Sequence, residues 1–310
     1  MNLSLRALRY VVATADFGNL TEAARNLNVS QPSISSAIAQ VEAELGVQIF
    51  IRHHARGVSP TAAGSRIISE ARALLNHARD FAQTAQALGD DIRGEISVGC
   101  LWTIATHIMP KVISGFGQSH PGVAVHLEEG DHQQILQTLL SGRTELALSY
   151  RLAIPDEVRG ELLTELPPYA ILPEDHPLAT RESLYLEELV DEPLILLDLP
   201  YSREYFLNLF TSRGLTPNIA FRSRAYELAR GLVGHGRGYT ITNLVSQTPD
   251  THDGGRVAAV PLAGDVEPVQ LMILTLQRQL QRPAVEVFVD FFRSAFPKGA
   301  PLKQTPYARR

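Results

Sequence analysis

Gln31, Ser33, Ser35, Ser36 and Gln40 crowd into ten residues and carry amide and hydroxyl groups but no charge. The same segment holds Ile34, Ile38, Val41 and Leu45, which run i, i+4, i+7, i+11 along one helical face. The polar set therefore occupies the opposite face. Short side chains that donate and accept hydrogen bonds, gathered at a helix start, can reach base edges in a DNA major groove. Ser30 is placed to cap this helix, and Pro32 suits its first turn, where a missing N–H costs nothing. Gly46 suits its C-terminal cap. Just beyond, 48–52 and 53–58 read as a short hairpin whose Arg52 and Arg56 suit phosphates or a minor-groove edge. The expected DNA contacts are Gln31, Pro32, Ser33, Ser35, Ser36, Arg52 and Arg56.

A second set of candidates lies where strand-like runs end and helices begin: Leu101, Trp102 and Thr103; Gly130; Ser149 and Arg151; Tyr201, Ser202 and Arg203; and Tyr226. In an α/β sheet, ligands settle at the carboxyl ends of strands, against helix starts that offer free N–H groups. Thr103 and Ser202 could supply hydroxyls, and Arg203 could pair with a carboxylate. The set points to a small anionic ligand, with an apolar or aromatic part facing Trp102 or Tyr201. Plainer readings stand beside it: Thr103 and Ser202 as N-caps, Trp102 as core, Arg203 as a solvated surface residue.

The elements that position these groups are legible in outline. Leu5, Leu8, Val12 and Ala15 mark a first helix, ended by 16–18. Asn19, three residues before Glu22, has the spacing of a capping box for a short second helix with Leu20, Ala23, Ala24 and Leu27 inside. Residues 28–30 make the turn into the polar-faced helix. Thr61 caps a long helix to about Leu88, and Ile68, Ala71, Leu75, Ala78, Ala82 and Ala85 form a coiled-coil seam on it. Beyond residue 93, strand-like and helical runs alternate, as βαβ units do. Strands are expected at 95–99, 123–127, 146–149, 194–197, 219–221, 239–242 and 269–275, with a crossover near Leu166-Pro167-Pro168. Helices are expected at 103–116, bent at Pro110, and at 131–140, 202–212, 225–234 and 284–296.

Bulk properties narrow the function. Residues 1–93 hold nine Lys and Arg against eight Asp and Glu, whereas the remainder holds nineteen against twenty-five. DNA would thus be met by the N-terminal part through a few placed arginines rather than a broad basic coat. No apolar run approaches the roughly 20 residues of a membrane span, and no secretory signal is evident, which points to the cytoplasm. Cys100 is the sole cysteine, so neither an internal disulfide nor a cysteine metal site is expected, and burial as a small hydrophobe is the favoured reading. His53-His54 lacks metal-ligand spacing, and Gly234-His235-Gly236-Arg237-Gly238 lacks the phosphate-loop lysine. Glu128 and Glu129 would face opposite sides of a strand. The sequence carries no converging nucleophile and base, so neither an enzyme nor a cofactor is expected.

The N-terminal segment resembles that of LysR-type transcriptional regulators. The match rests on Phe17-Gly18, Leu20-Thr21-Glu22-Ala23-Ala24, Leu27, Ser30-Gln31-Pro32-Ser33-Ile34-Ser35, Ile38, Glu42, Leu45-Gly46, Phe50, Arg52 and Thr61-Ala62-Ala63-Gly64. Ser36 stands where many members carry a basic residue, Val41 where leucine is usual, and Ser59-Pro60 where an apolar residue usually precedes the threonine. Further on, 139–142 leading to 146–148, and His176-Pro177-Leu178, match more loosely, with Glu145 where aspartate is usual. The resemblance implies an α+β winged helix-turn-helix over 1–60 and a linker and dimerisation helix over 61–90. It implies an α/β effector domain over 93–296, shaped like a periplasmic binding protein. One subdomain would hold about 93–166 and 267–296, the other about 167–266, and the tail 297–310 is expected to be disordered. Two-fold-related promoter DNA, a small effector, a second copy in dimers and tetramers, and RNA polymerase are the implied partners. An enzyme with an appended DNA-binding domain, and a regulator that answers a protein instead of a ligand, are the rivals.

Overall fold

The computed structural model describes residues 3–53, 57–86, 92–277 and 282–296. Helices α1 (Leu5–Phe17), α2 (Leu20–Asn26) and α3 (Gln31–Leu45) form a trihelical platform. Each begins at a side chain that satisfies free N–H groups. Ser4 accepts from Ala7 N, Asn19 from Thr21 N and Glu22 N, and Ser30 from Ser33 N. The capping box expected at α2 is only half built, because Glu22 turns to Arg25 at 2.6 Å. Ile34, Ile38 and Val41 of α3 are buried with Val11, Ala23 and Ile49. On the back of α3, Glu42 Oε1 accepts from Ile49 N at 2.7 Å and Phe50 N at 3.1 Å, fixing where the hairpin starts.

That hairpin is β1 (Phe50–His53) against β2 (Gly57–Pro60), antiparallel, with Phe50 opposite Pro60. Its first strand starts two residues later than the sequence implied. Val58 N donates to Gly18 O at 2.8 Å, so the hairpin leans on the α1–α2 turn. Gly57 has φ +86, and a Cβ there would sit 2.2 Å from Gly18 O, so only glycine fits this approach.

Helix α4 (Ala62–Gln86) follows, with Thr61 Oγ1 accepting from Gly64 N at 2.8 Å. Its apolar positions are used differently from the expected seam. Ile68 is buried in the trihelical core and Ala71 is buried too. Leu74 and Phe81, seven residues apart, are 50% and 76% exposed instead. Ile68 thus serves the chain's own core, while of the later seam positions Leu75 and Ala78 are half-buried and Ala82 is exposed. Seam position Ala85 and the helix end near Leu88 lie outside the described side chains, as does the tail 297–310.

The rest of the chain builds two α/β units. The first is a five-stranded sheet in the order β4 (Val123–Gly130), β3 (Gly94–Leu101), β5 (Leu146–Tyr150), β12 (Val269–Leu276), β6 (Val158–Leu166). Strand β3 runs parallel to β4 and β5, whereas β12 is antiparallel to β5 and β6. Helices α5 (Trp102–Ser119) and α9 (Pro283–Ala295) pack on one face through Ile104, Val112, Phe116, Val285 and Phe288. Helix α6 (His132–Leu140) packs on the other through Ile135, Leu136 and Leu139. Helix α5 continues through Pro110.

The second unit has an antiparallel sheet β10 (Thr240–Thr242), β7 (Tyr169–Pro173), β11 (Val257–Pro261). Beside it lies the parallel pair β8 (Pro193–Leu197) and β9 (Asn218–Ser223), with α7 (Ser202–Thr211) and α8 (Tyr226–Gly234). Strands β6, β7 and β11 were not anticipated. The chain passes between units at Pro167-Pro168 and again between β11 and β12. Asn243 Nδ2 donates to Leu166 O at 2.9 Å and lies 2.9 Å from Tyr205 Oη, which donates to Glu267 O at 2.9 Å, so both passages are tied together.

Helix α4 is joined to the first unit by a buried cation. Arg282 donates to Glu145 through Nε and Nη2, both at 2.7 Å, to Asp80 of α4 through Nη1, and to Glu95 O at 2.5 Å.

Candidate functional site

The N-terminal end of α3 presents Gln31, Pro32, Ser33 and Ser36 to solvent, with Gln40 one turn further on. Ser30 Oγ and Ser33 Oγ lie 2.7 Å apart, so the capping hydroxyl also orients a hydroxyl of the exposed face. Ser35 is half-buried, because Arg52 Nη2 donates to its Oγ at 3.1 Å across from β1. That contact holds the Arg52 guanidinium against the helix flank. His53 Nε2 and Ser59 Oγ meet at 2.7 Å across the hairpin. Arg56 lies outside the described residues. The result is a protruding, uncharged, hydrogen-bonding helix start with one arginine at its side, a shape and chemistry suited to a major groove.

The second candidate site is a cavity of about 610 Å³ where the two α/β units face each other. Of the ten residues expected there, Tyr201 and Arg203 line it. The other eight do not line it. Leu101 and Gly130 are buried at the ends of β3 and β4. Trp102 is half-buried against the second unit's core. Thr103 is buried, its Oγ1 3.3 Å from Tyr150 Oη. The Ser149 hydroxyl is engaged by His132 Nδ1 at 2.7 Å. Arg151 is exposed and donates to Gln270 Oε1 at 3.1 Å. Ser202 is buried at the start of α7, and Tyr226 donates its hydroxyl to Leu244 O at 3.2 Å.

The rest of the lining escaped the sequence reading: Gln133 from the first unit, and Asp198, Pro200, Glu204, Arg222, Ser223 and Arg224 from the second. A signal was present, since Arg222 and Arg224 flank the end of β9 two residues apart and so share a side. Pairing of Leu197 with Ser223, and Asp198 N donating to Ser223 O at 2.7 Å, then bring Asp198 beside them.

The electrostatics of this cavity are balanced. Asp198 accepts from Arg203 Nη1 at 3.1 Å and from Arg222 Nη1 at 3.2 Å. Arg203 also pairs with Glu204, whose carboxyl is held below its usual pKa by that hydrogen bond. Arg224 reaches across to the first unit and meets Asp131 Oδ2 at 3.1 Å. Two ring contacts cross in the same sense: His132 lies edge-on to Tyr201 at 5.1 Å, and His107 to Tyr226 at 5.0 Å. Burial pushes the pKa of both histidines down, so both favour the neutral form. Tyr201 holds φ +64, an uncommon backbone state for a non-glycine residue.

Features set aside from the sequence have plain places. The glycine-rich 234–238 stretch turns from α8 into β10. Cys100 is fully buried, which pushes its thiol pKa well up. Among the described residues no group of three or more His, Cys, Asp or Glu is placed to hold a metal, and no helix is long and apolar enough to cross a membrane.

Comparison with known proteins follows this division. Residues 5–65 match the family model for the bacterial regulatory helix-turn-helix protein of the lysR family, and residues 89–297 match the LysR substrate binding domain. The chain is 32% identical over 254 residues to the transcriptional regulator CysB of Haemophilus influenzae, covering 79% of this chain and 77% of that protein. Among solved structures, HinK, a LysR family regulator from Pseudomonas aeruginosa, is 38% identical with a TM-score of 0.64, covering 95% of this chain and 99% of that one. A full-length point variant of OxyR from the same organism is 25% identical with a TM-score of 0.74, covering 94% and 98%.

Proposed function

Because the chain belongs to the LysR family, DNA-binding transcriptional regulators with an effector-binding domain, we propose that it binds a two-fold-related promoter site as a dimer and responds to a small carboxylate-bearing molecule in its cleft. The observation that carries the DNA half is the exposed, uncharged start of α3, with Gln31, Ser33 and Ser36 displayed beside Arg52. Ser36 in place of a basic residue shifts the reading of bases toward hydroxyl and amide groups. The near-neutral charge of residues 1–93 limits what one copy can hold, so affinity comes from two recognition helices engaging together.

The second copy docks on the open face of α4, where Leu74 and Phe81 stand seven residues apart and exposed. Pairing of dimers into tetramers, contact with RNA polymerase and residence in the cytoplasm belong to the same reading. Effector binding changes the spacing of the two α/β units, and Arg282 with Asp80 transmits that change to α4.

A gel-shift titration on duplex from the chain's own promoter region tests the assignment. Gln31→Ala should weaken that duplex much more than an unrelated one. Arg52→Ala should weaken both and flatten the salt dependence, since a phosphate contact carries no sequence information. Equal binding by Gln31→Ala and the unaltered chain would remove α3 from the recognition role.

A further inference from the structure

Arg224, which lines the cavity, is held in an ion pair that crosses to the first unit. Asp131, on the first unit, caps α6: its Oδ1 accepts from Gln134 N at 3.0 Å. Its other oxygen is taken by Arg224 of the second unit at 3.1 Å. The two ends are unequally wet, for the Asp131 side chain is 6% exposed and the Arg224 side chain 62%. The remaining arginines of the cavity differ in kind. Arg203 and Arg222 share Asp198, and Arg203 also holds Glu204, all within the second unit. Arg224 is the lining arginine whose carboxylate partner belongs to the first unit, two residues from the lining Gln133.

This arrangement selects among ligands. Around the cavity, Arg203, Arg222 and Arg224 are matched by Asp198, Glu204 and Asp131. A ligand carrying only a carboxylate could take Arg224, but it would leave the Asp131 carboxylate buried without its cation, which is costly. A ligand carrying only an amine would strand Arg224 in the same way, less severely because that side chain is wet. A ligand with both groups can replace each end of the pair and leave no charge unmatched. Since Arg224 and Asp131 now touch, the ligand's two charges must be close together.

We propose that the effector is a zwitterion of the α-amino-acid class, its carboxylate on Arg224 and its ammonium on Asp131. This rests on the reading of the cleft as the effector site and makes the expected anion one half of the recognised group. Gln133 and Ser223 also line the cavity, and Pro200 and Tyr201 offer apolar surface to the ligand's side chain. The cavity volume of about 610 Å³ lies within the ordinary range for small-molecule sites.

The test uses the full chain and thermal-shift and calorimetric titration with the twenty common α-amino acids. For each one that stabilises the protein, the matched 2-hydroxy acid and the matched amine are measured too. The proposal expects at least one amino acid to raise the melting temperature, with its hydroxy acid and amine weaker by about tenfold or more. Asp131→Asn keeps a good N-cap while removing the charge, so the variant folds with α6 intact. It should lose the amino-acid preference and accept the hydroxy acid comparably. Arg224→Gln should lose both. No response to any amino acid, or equal binding of the hydroxy acid by the unaltered chain, overturns the zwitterion assignment. The cleft reading fails separately, and the zwitterion assignment with it, if a ligand binds undiminished by Arg224→Gln, Asp131→Asn and Tyr201→Ala alike.

Discussion

The exposed start of α3 and the cavity where the α/β units meet both expose polar side chains, yet they are built in opposite ways. The face comes from ten consecutive residues on one helix, and Gln31, Ser33, Ser36 and Gln40 are uncharged and exposed. The cleft gathers Gln133, five residues between Asp198 and Glu204, and 222–224 from separate segments, and each of its arginines already holds a carboxylate. A surface meant to meet hydrated base edges needs unengaged donors and acceptors. A surface meant to admit a small charged molecule between two units can instead hold itself ready with ion pairs the ligand replaces.

The contrast is sharpest against the ion cluster that ties α4 to the first unit. If the cleft pairs are exchangeable because they are partly wet, the same ions buried should be fixed. Arg282 is 4% exposed and joins Glu145 to Asp80. Arg282→Ala should therefore cost about 3–5 kcal/mol of unfolding free energy, read by urea denaturation, because it leaves two carboxylates without their cation. A loss near that of a surface pair would erase the distinction. On the recognition face, Gln31→Ala should leave stability nearly unchanged and cost about 1–3 kcal/mol of discrimination against wrong bases, measured by competition gel shift.

Smaller effects probe the contacts between the two units. His107 and His132 have folded-state pKa values pushed down by burial, so both bind protons more readily when released. Their contribution to stability is complete above the ordinary histidine pKa of about 6.5 and falls as the pH drops below it. A melting-temperature profile should show that decline, and substituting both histidines should reduce it. Arg224→Gln, which strands one buried carboxylate where Arg282→Ala strands two, should destabilise the fold by less than Arg282→Ala while removing the ligand response.

The face was legible because everything that makes it is local. The Ser30 cap, Pro32, the Ile34–Ile38–Val41 stripe and Gly46 all act within one helix, and each stands where the spacing put it. On α4 the same periodicity told which residues are apolar but not what covers them. Ile68 went to the chain's own core, and Leu74 and Phe81 were left open. Strands β6, β7 and β11 were missed for a related reason: β6 runs Val-Arg-Gly-Glu-Leu-Leu-Thr-Glu-Leu, where charges interrupt the apolar positions and only pairing with β12 makes it a strand. In the cleft, Tyr201 and Arg203 could be read because they follow a strand end directly. Gln133, Asp198, Arg222 and Arg224 depend on which strand ends meet, such as Leu197 beside Ser223, and no local pattern carries that.

The central claim is that one helix start reads duplex DNA, in two copies related by a two-fold axis. Selection of bound duplexes from a random pool, by the full chain and by Gln31→Ala in parallel, tests it most directly. The account predicts an enriched inverted repeat with half-sites about one helical turn or a multiple apart, and relaxed preference at the same base pair of each half-site in the variant. An enriched sequence without two-fold symmetry, or an identical preference in the variant, would contradict it.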